Sequence, residues 1–145
     1  MIAAVIDNPL LSRAEQILYG RLVRAFPGHV VLSQVAVSRL LAGRTAGMGG
    51  QAAGNRFKDW VADFVVCRPD FTIVAVVELA GSATSRDAER TRERKDESLR
   101  AAGIKVVRLP GGDALADIPN ESGLKALVAA LPVNSSTAQL LRRAS

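Results

Sequence analysis

Two carboxylates interrupt a pair of apolar, β-branched segments in the middle of the chain. Asp63 opens the run Asp-Phe-Val-Val-Cys, and Glu78 comes near the end of the run Phe-Thr-Ile-Val-Ala-Val-Val-Glu-Leu-Ala. The residues between the runs, Arg68-Pro69-Asp70, are typical of a turn, so the pattern predicts a β-hairpin. A strand that only fills a core has no packing use for a carboxylate. Burying one without a partner is costly or shifts its pKa.

The predicted hairpin brings these two acids together. The start of the first strand lies beside the end of the second, so Asp63 and Glu78 should be about 5–8 Å apart, as opposed or diagonal neighbours. Two carboxylates at that spacing are suited to a divalent cation. The hairpin therefore predicts a metal site at one end of a sheet.

Composition limits the class of protein. The 145 residues are 48% hydrophobic, enough for one domain with a single core. The net charge of +5 favours an anionic partner, foremost nucleic acid, with a basic solvated surface as the alternative. A single cysteine, Cys67, excludes an internal disulfide and fits a reducing, cytoplasmic location. The apolar runs are too short to span a bilayer, so no membrane partner is expected.

Helical signals flank the hairpin on both sides. Ser12-Arg13-Ala14-Glu15 is a capping box and predicts a helix over 13–25. A strand over 29–37 and a short helix over 38–41 follow. After the hairpin, a helix over 85–102 would carry Lys95 and Leu99 on one face, and Gly103 would cap it. A strand over 104–109 and a helix over 122–131 complete the pattern.

These elements form one predicted domain over residues 10–132. It contains a glycine-rich loop at 43–55, which we expect to be mobile, and a flexible tail at 133–145 follows it. The order is αβββαβ, with a helix crossing over to the last strand. This order predicts an α/β fold with a mixed four-stranded sheet flanked by helices.

This arrangement resembles the restriction-endonuclease-like fold of the PD-(D/E)XK nuclease superfamily. Within that superfamily the chain looks like the bacterial domain of unknown function 2726 family, which is related in pattern to the very-short-patch repair endonucleases. The likeness covers about residues 10 to 110. The segments that carry it are Leu10-Leu-Ser-Arg-Ala-Glu-Gln16, the stretch 29–41, Asp63-Phe-Val-Val66, Val77-Glu-Leu79 and the stretch 95–108.

The resemblance implies a Mg²⁺-dependent site, with Mn²⁺ as a substitute, in which Asp63 and Glu78 face the metal. The backbone carbonyl of Leu79 is a further metal ligand by the same likeness. Glu15 matches an acid that some superfamily members add from the first helix, although the capping box gives it a structural role as well. Gln34 matches a glutamine in the first strand that could hydrogen-bond a water at the site, or it could face the sheet edge.

The chain departs from the family pattern at two positions. Relatives read Glu-Leu/Val-Asp-Gly-x-x-His at the end of the third strand, whereas Ala80 and Thr84 stand here in place of the aspartate and the histidine. The Ala80 methyl can neither bind metal nor orient water, and Thr84 cannot replace an imidazole as general base or acid near neutral pH. The superfamily's lysine, two positions after the glutamate, is absent as well. Lys95 could supply it from the helix, or it could belong to a solvated charge run.

Arginines along the same helix are candidates for contacts to a DNA backbone. They are Arg86, Arg90, Arg92 and Arg94. Acidic residues alternate with them, so ion pairing along a solvated helix is the other interpretation. The sequence thus predicts a metal-dependent nuclease with a partly degenerate site, with Asp63, Glu78, Lys95 and Glu15 as its catalytic residues. The alternative is a non-catalytic module on the same fold that binds nucleic acid or docks a protein.

Overall fold

Alternating helices and strands build a two-faced sheet in the computed structural model, which describes residues 7–42, 57–80, 85–110 and 115–131. The predicted loop at 43–55, the tail at 133–145 and Thr84 lie outside these ranges. The elements are α1 (Arg13–Ala25), β1 (Val30–Ala36), α2 (Val37–Leu41), β2 (Val61–Cys67), β3 (Ile73–Leu79), α3 (Arg86–Ala101), β4 (Val106–Leu109), a 3₁₀ turn (Leu115–Asp117) and α4 (Glu121–Ala130).

The four strands form one sheet in the order β1-β2-β3-β4. β1 pairs with β2 and β2 with β3 in antiparallel fashion, whereas β3 and β4 are parallel. A parallel pair needs a crossover connection, and α3 supplies it. The α/β class and the mixed four-stranded sheet flanked by helices are therefore confirmed. The 3₁₀ turn before α4 was not predicted.

Helices cover both sides of this sheet and bury two apolar clusters. On one side, called here the α1 face, α1 and α4 pack against the sheet through a cluster that includes Leu18, Leu22, Phe64, Val77 and Leu124. The other side, called here the α3 face, joins α2 and α3 to the sheet through Leu40, Val65, Val76, Leu99 and Val106. Over Phe64–Cys67 of β2 and Ala75–Val77 of β3, alternate residues serve opposite faces, as the pleat of a strand requires.

The β-hairpin is present, but its turn is longer than predicted. β2 ends at Cys67 and β3 begins at Ile73, so Phe71 and Thr72 belong to the connection. The Asp70 carboxylate accepts hydrogen bonds from the Thr72 backbone N (3.0 Å) and hydroxyl (2.6 Å), which holds the chain in a turn at this point. Phe71 has a φ of +65°, outside the β region of backbone conformation.

The first helix begins as the sequence predicts. Ser12 is the N-cap of α1: its hydroxyl accepts from Glu15 N (3.3 Å), and the Glu15 carboxylate accepts from Ser12 N (2.6 Å). Both halves of the capping box are thus formed. No helix within the described ranges has the length and apolar character that a membrane span requires.

The capping box gives a stability prediction. Ser12→Ala should lower the free energy of unfolding by about 1 kcal/mol, because Glu15 N loses its acceptor. Glu15→Gln should lower it by less than about 0.5 kcal/mol, since glutamine also serves at the third position of a capping box. Urea denaturation followed by circular dichroism measures both. Equal losses in the two variants would contradict this account of the helix start.

Candidate active site on the α3 face

Asp63 and Glu78 meet at the open end of the hairpin and tie its two strands together. The last backbone pair of the β2–β3 ladder is Phe64 with Val77, and the two acids follow directly beyond it. The Asp63 carboxylate accepts from Leu79 N at 2.9 Å, and Glu78 Oε2 lies 3.4 Å from Asp63 N as a weak acceptor. Each side chain thus bonds the backbone of the other strand, and both acids lie on the same face, as predicted.

Glu78 is almost completely buried, with 2% of its surface exposed. The Lys95 ammonium lies 3.1 Å from Glu78 Oε1, and 14% of the lysine side chain is exposed. This contact is electrostatic, because Glu78 Oε1 accepts no hydrogen bond of good geometry. Lys95 Nζ also donates to the backbone carbonyl of Val61 at 3.2 Å. The lysine therefore points into the sheet and is not part of a fully solvated charge run.

Burial and charge act together on the Glu78 carboxyl. Burial raises its pKa most, and repulsion from Asp63 raises it further, whereas the Lys95 ammonium lowers it, with a net result of about 7. A hydrogen bond between the two carboxyl groups also favours the protonated form. Near neutral pH the Glu78 carboxyl therefore exchanges a proton readily, and any cation that binds there competes with that proton.

A second buried charged pair lies beside this one, and the sequence interpretation missed it. Asp96 of α3 is 4% exposed and accepts from Arg108 Nε at 2.8 Å; Arg108 Nη2 is also 2.8 Å from the same oxygen, without hydrogen-bond geometry. Arg108 is the parallel register partner of Glu78. The sequence contained two indications of this pair. Asp96 directly follows Lys95 on the helix, and Arg108 lies between buried residues of β4.

The α3 face therefore carries a row of charged residues across three strands. Asp63, Glu78 and Arg108 come from β2, β3 and β4, and α3 contributes Lys95 and Asp96 above them. A cleft of about 530 Å³ opens beside the row, and its lining includes Ala80, Arg92 and Arg108. Ala80 thus leaves a methyl group where a polar side chain could have entered the site.

The other predicted site residues lie at varying distances from this centre. Glu15 belongs to the capping box of α1, on the opposite face of the sheet. Leu79 donates its N–H to Asp63, and its carbonyl as a metal ligand remains a prediction. On α3, Arg92 is half-buried at the cleft, whereas the other three predicted arginines form an exposed stripe four residues apart: Arg86, Arg90 and Arg94.

The donor atoms at the site fit a magnesium ion held by few protein ligands. Within the described ranges, no group of three or more His, Cys, Asp or Glu side chains is arranged to hold a metal. Mg²⁺ commonly keeps several waters and binds through only one or two carboxylates. Asp63 and Glu78 provide such a pair, with Glu78 Oε1 in contact with the Lys95 ammonium at 3.1 Å. These two residues would hold the ion.

Comparison with known proteins gives one match. The family model described as "Protein of unknown function (DUF2726)" matches residues 7–117, about three quarters of the chain. No curated protein and no solved structure matches the chain. The matched region includes the hairpin, α3 and β4, and hence the whole row of charged residues.

The raised Glu78 pKa makes a prediction about stability and pH. Because the folded pKa (about 7) exceeds the ordinary value of 4.5, the stability from this group is present at low pH and is lost as the pH rises through about 7. Glu78→Gln cannot titrate. Its unfolding free energy relative to wild type should therefore increase by roughly 2 kcal/mol between pH 5 and pH 8.

Denaturant titrations of both proteins at each pH measure this difference. Glu93→Gln, which removes an exposed glutamate from α3, is the control and should give a difference that is the same at both pH values. A flat difference for Glu78→Gln as well would show that Glu78 is not the buried titrating group.

Proposed function

The chain belongs to the DUF2726 family, and we propose that it is a metal-dependent nuclease that hydrolyses phosphodiester bonds in DNA. Asp63, Glu78 and Lys95 are its catalytic residues, on a fold of the restriction-endonuclease-like type. The observation that carries this proposal is the 3.1 Å contact between Lys95 Nζ and Glu78 Oε1. It assembles an aspartate, a glutamate and a lysine from three separate elements.

Lys95 is important to this proposal because β3 itself provides no lysine. The nuclease superfamily that the chain resembles has a lysine two positions after the glutamate, where this chain has Ala80. Lys95 reaches the same glutamate from α3, which crosses over the sheet. A cation beside the acid pair is thus retained by a different route, and this favours an active site over a relic.

Each residue has a defined part in the proposed reaction. Asp63 and Glu78 would hold Mg²⁺, which lowers the pKa of a bound water and neutralises charge on the scissile phosphate. The Lys95 ammonium is placed to stabilise the extra negative charge that develops on the phosphoryl oxygens. Its second contact, to the Val61 carbonyl at 3.2 Å, fixes its position before substrate arrives. The Leu79 carbonyl is an auxiliary candidate in this scheme, whereas Glu15, in the capping box on the opposite face, is not.

DNA binding would use the exposed side of α3. Arg86, Arg90 and Arg94 recur every four residues and face solvent, so they can follow successive phosphates. The chain's net charge of +5 favours such a partner.

A non-catalytic DNA-binding module is the second candidate, and one observation favours it. The Glu78 carboxyl is stabilised within the protein, by the Lys95 ammonium in its ionised form and by the Asp63 carboxyl in its protonated form. The acids can therefore remain buried without a cation. In this case the protein would bind DNA and leave it intact.

Plasmid nicking distinguishes the two candidates. Wild-type protein should convert supercoiled DNA to the nicked form with Mg²⁺ or Mn²⁺ and should lose this activity in EDTA. Asp63→Asn and Glu78→Gln should each lower the rate at least about 100-fold, because each removes a metal-binding charge. Lys95→Met should also lower it, while leaving Mn²⁺ affinity within about threefold.

The matched control is Asp70→Asn, which changes an exposed carboxylate at the opposite end of the same hairpin. It should cleave at the wild-type rate. Unchanged cleavage in the Asp63 and Glu78 variants would reveal a contaminating nuclease. Salt-dependent DNA binding without any cleavage by the wild type would establish the binding module instead.

The arginine stripe makes a separate prediction about salt. Replacing Arg86, Arg90 and Arg94 together by glutamine should weaken DNA binding and reduce the slope of log K against log salt by about 2 to 3, one unit for each phosphate contact. Fluorescence anisotropy over a range of salt concentrations measures the slope. Arg13→Gln, on α1 at the other face, should leave the slope unchanged. An unchanged slope in the triple variant would remove α3 from the DNA interface.

A further inference from the structure

A second cleft, of about 600 Å³, lies between α3 and the turn at 57–59 that precedes β2. Its described lining combines an aromatic ring, one side chain of each charge and a hydroxyl: Trp60, Arg94, Glu97 and Ser98. Neither acid of the pair at the hairpin end is among these residues. The cleft is therefore a feature additional to the proposed active site.

Trp60 is held firmly at the edge of this cleft. Its ring is half-buried against the α3-face cluster, and the Phe57 ring lies beside it with the centroids 5.2 Å apart. The Trp60 backbone N–H donates to the Phe57 carbonyl at 3.1 Å, and the Trp60 carbonyl accepts from Val37 N at 2.9 Å. The indole is thus fixed by packing while part of its surface lines an open cleft.

The cleft adjoins the proposed active site through both of its walls. Trp60 directly precedes Val61, whose carbonyl accepts from Lys95 Nζ at 3.2 Å, and Arg94 directly precedes Lys95 on α3. Three residues of extended chain, from Trp60 to Asp63, span at most about 11 Å. Roughly three stacked nucleotides of one DNA strand cover that length. A strand whose phosphate lies at the acid pair therefore reaches the cleft.

The charges of the lining indicate which part of a nucleotide fits. Arg94 and Glu97 balance each other, and the Ser98 hydroxyl donates to the Arg94 carbonyl at 2.8 Å. A phosphate inside the cleft would be repelled by the Glu97 carboxylate. A nucleobase is neutral and flat, stacks on an aromatic ring, and has N–H groups that a carboxylate accepts. The lining therefore suits a nucleobase better than a phosphate.

We propose that this cleft binds an unpaired nucleobase of the DNA substrate, stacked on Trp60; this inference rests on the proposed action on DNA. A base inside a duplex must leave the helix before it can enter a pocket. Single strands and flaps, whose bases are already unpaired, are therefore the favoured substrate class. Arg94 is the last member of the arginine stripe and also lines the cleft, so a strand that follows the stripe arrives at Trp60.

Trp60 is the single tryptophan of the chain, which allows a direct test of stacking. A short oligothymidylate should quench the intrinsic fluorescence of the wild-type protein, measured in EDTA so that the strand stays intact. An oligomer of the same length with an abasic site at every position has the same phosphates, and should bind without quenching. Thymidine monophosphate should require at least about tenfold higher concentration, because it makes no contacts along the stripe.

Two leucine variants separate stacking from packing. Trp60→Leu keeps an apolar side chain in the cluster and removes the ring, so its affinity for oligothymidylate should fall by about 5- to 100-fold. Its affinity for the abasic oligomer should stay within about twofold. Phe57→Leu, the matched control, removes the neighbouring buried ring and should bind both oligomers within about twofold of wild type. Trp60→Phe, which keeps a smaller ring, should fall between wild type and Trp60→Leu. Anisotropy of labelled oligomers measures these affinities.

The outcomes separate this proposal from the nuclease proposal. Equal quenching by the abasic oligomer, equal affinity loss on both oligomers in Trp60→Leu, or the same loss in Phe57→Leu refutes base stacking. Thymidine monophosphate that binds as tightly as the oligomer makes the cleft a free-nucleotide pocket and also refutes it. None of these results touches plasmid nicking, which tests the nuclease by itself. Base-dependent quenching in a wild-type protein that never nicks DNA supports the cleft and refutes only the nuclease.

Discussion

The structure depends on a buried carboxylate that is stabilised from three directions. Glu78 lies under α3 with 2% of its surface exposed, and an isolated ionised carboxylate there would be too costly to keep. The Lys95 ammonium supplies opposite charge at 3.1 Å, Asp63 can share a proton, and the Asp63 backbone N–H approaches the second carboxylate oxygen. Removing any one of the three would leave the carboxylate only partly compensated.

These contacts also explain how the hairpin ends. The backbone ladder between β2 and β3 stops at Phe64 and Val77, and beyond it the two acids replace the strand pairing with side-chain contacts. The backbone N–H groups of Asp63 and Leu79 therefore have acceptors beyond the end of the ladder. Both carboxylates lie on the α3 face, with Glu78 buried beneath α3. The hairpin end thus combines a structural junction with a site that can receive a cation.

Local sequence patterns predict much of this arrangement. The remaining parts depend on tertiary contacts, which local patterns do not show. The capping box fixes the start of α1, and apolar runs with one acid each predict both the hairpin and the meeting of Asp63 with Glu78. Helical spacing places Lys95, four residues before Leu99, on the face of α3 that turns toward the sheet. The Asp96–Arg108 pair needs the parallel register of β3 and β4, which the sequence does not show. The positive φ of Gln34 is likewise invisible, since glutamine carries no left-handed signal.

Lys95 belongs to α3 and not to β3, so the geometry of the site depends on how α3 packs on the sheet. A lysine on β3 would be positioned by the same strand as the glutamate, whereas Lys95 is positioned by the docking of α3 on the sheet. That docking rests on Leu99 and Ile104 in the α3-face cluster and on the Asp96–Arg108 ion pair, one residue along the helix from Lys95. Buried ion pairs seldom add net stability over apolar packing. The Asp96–Arg108 pair is a direct polar link between α3 and β4, beside the lysine that reaches the acid pair.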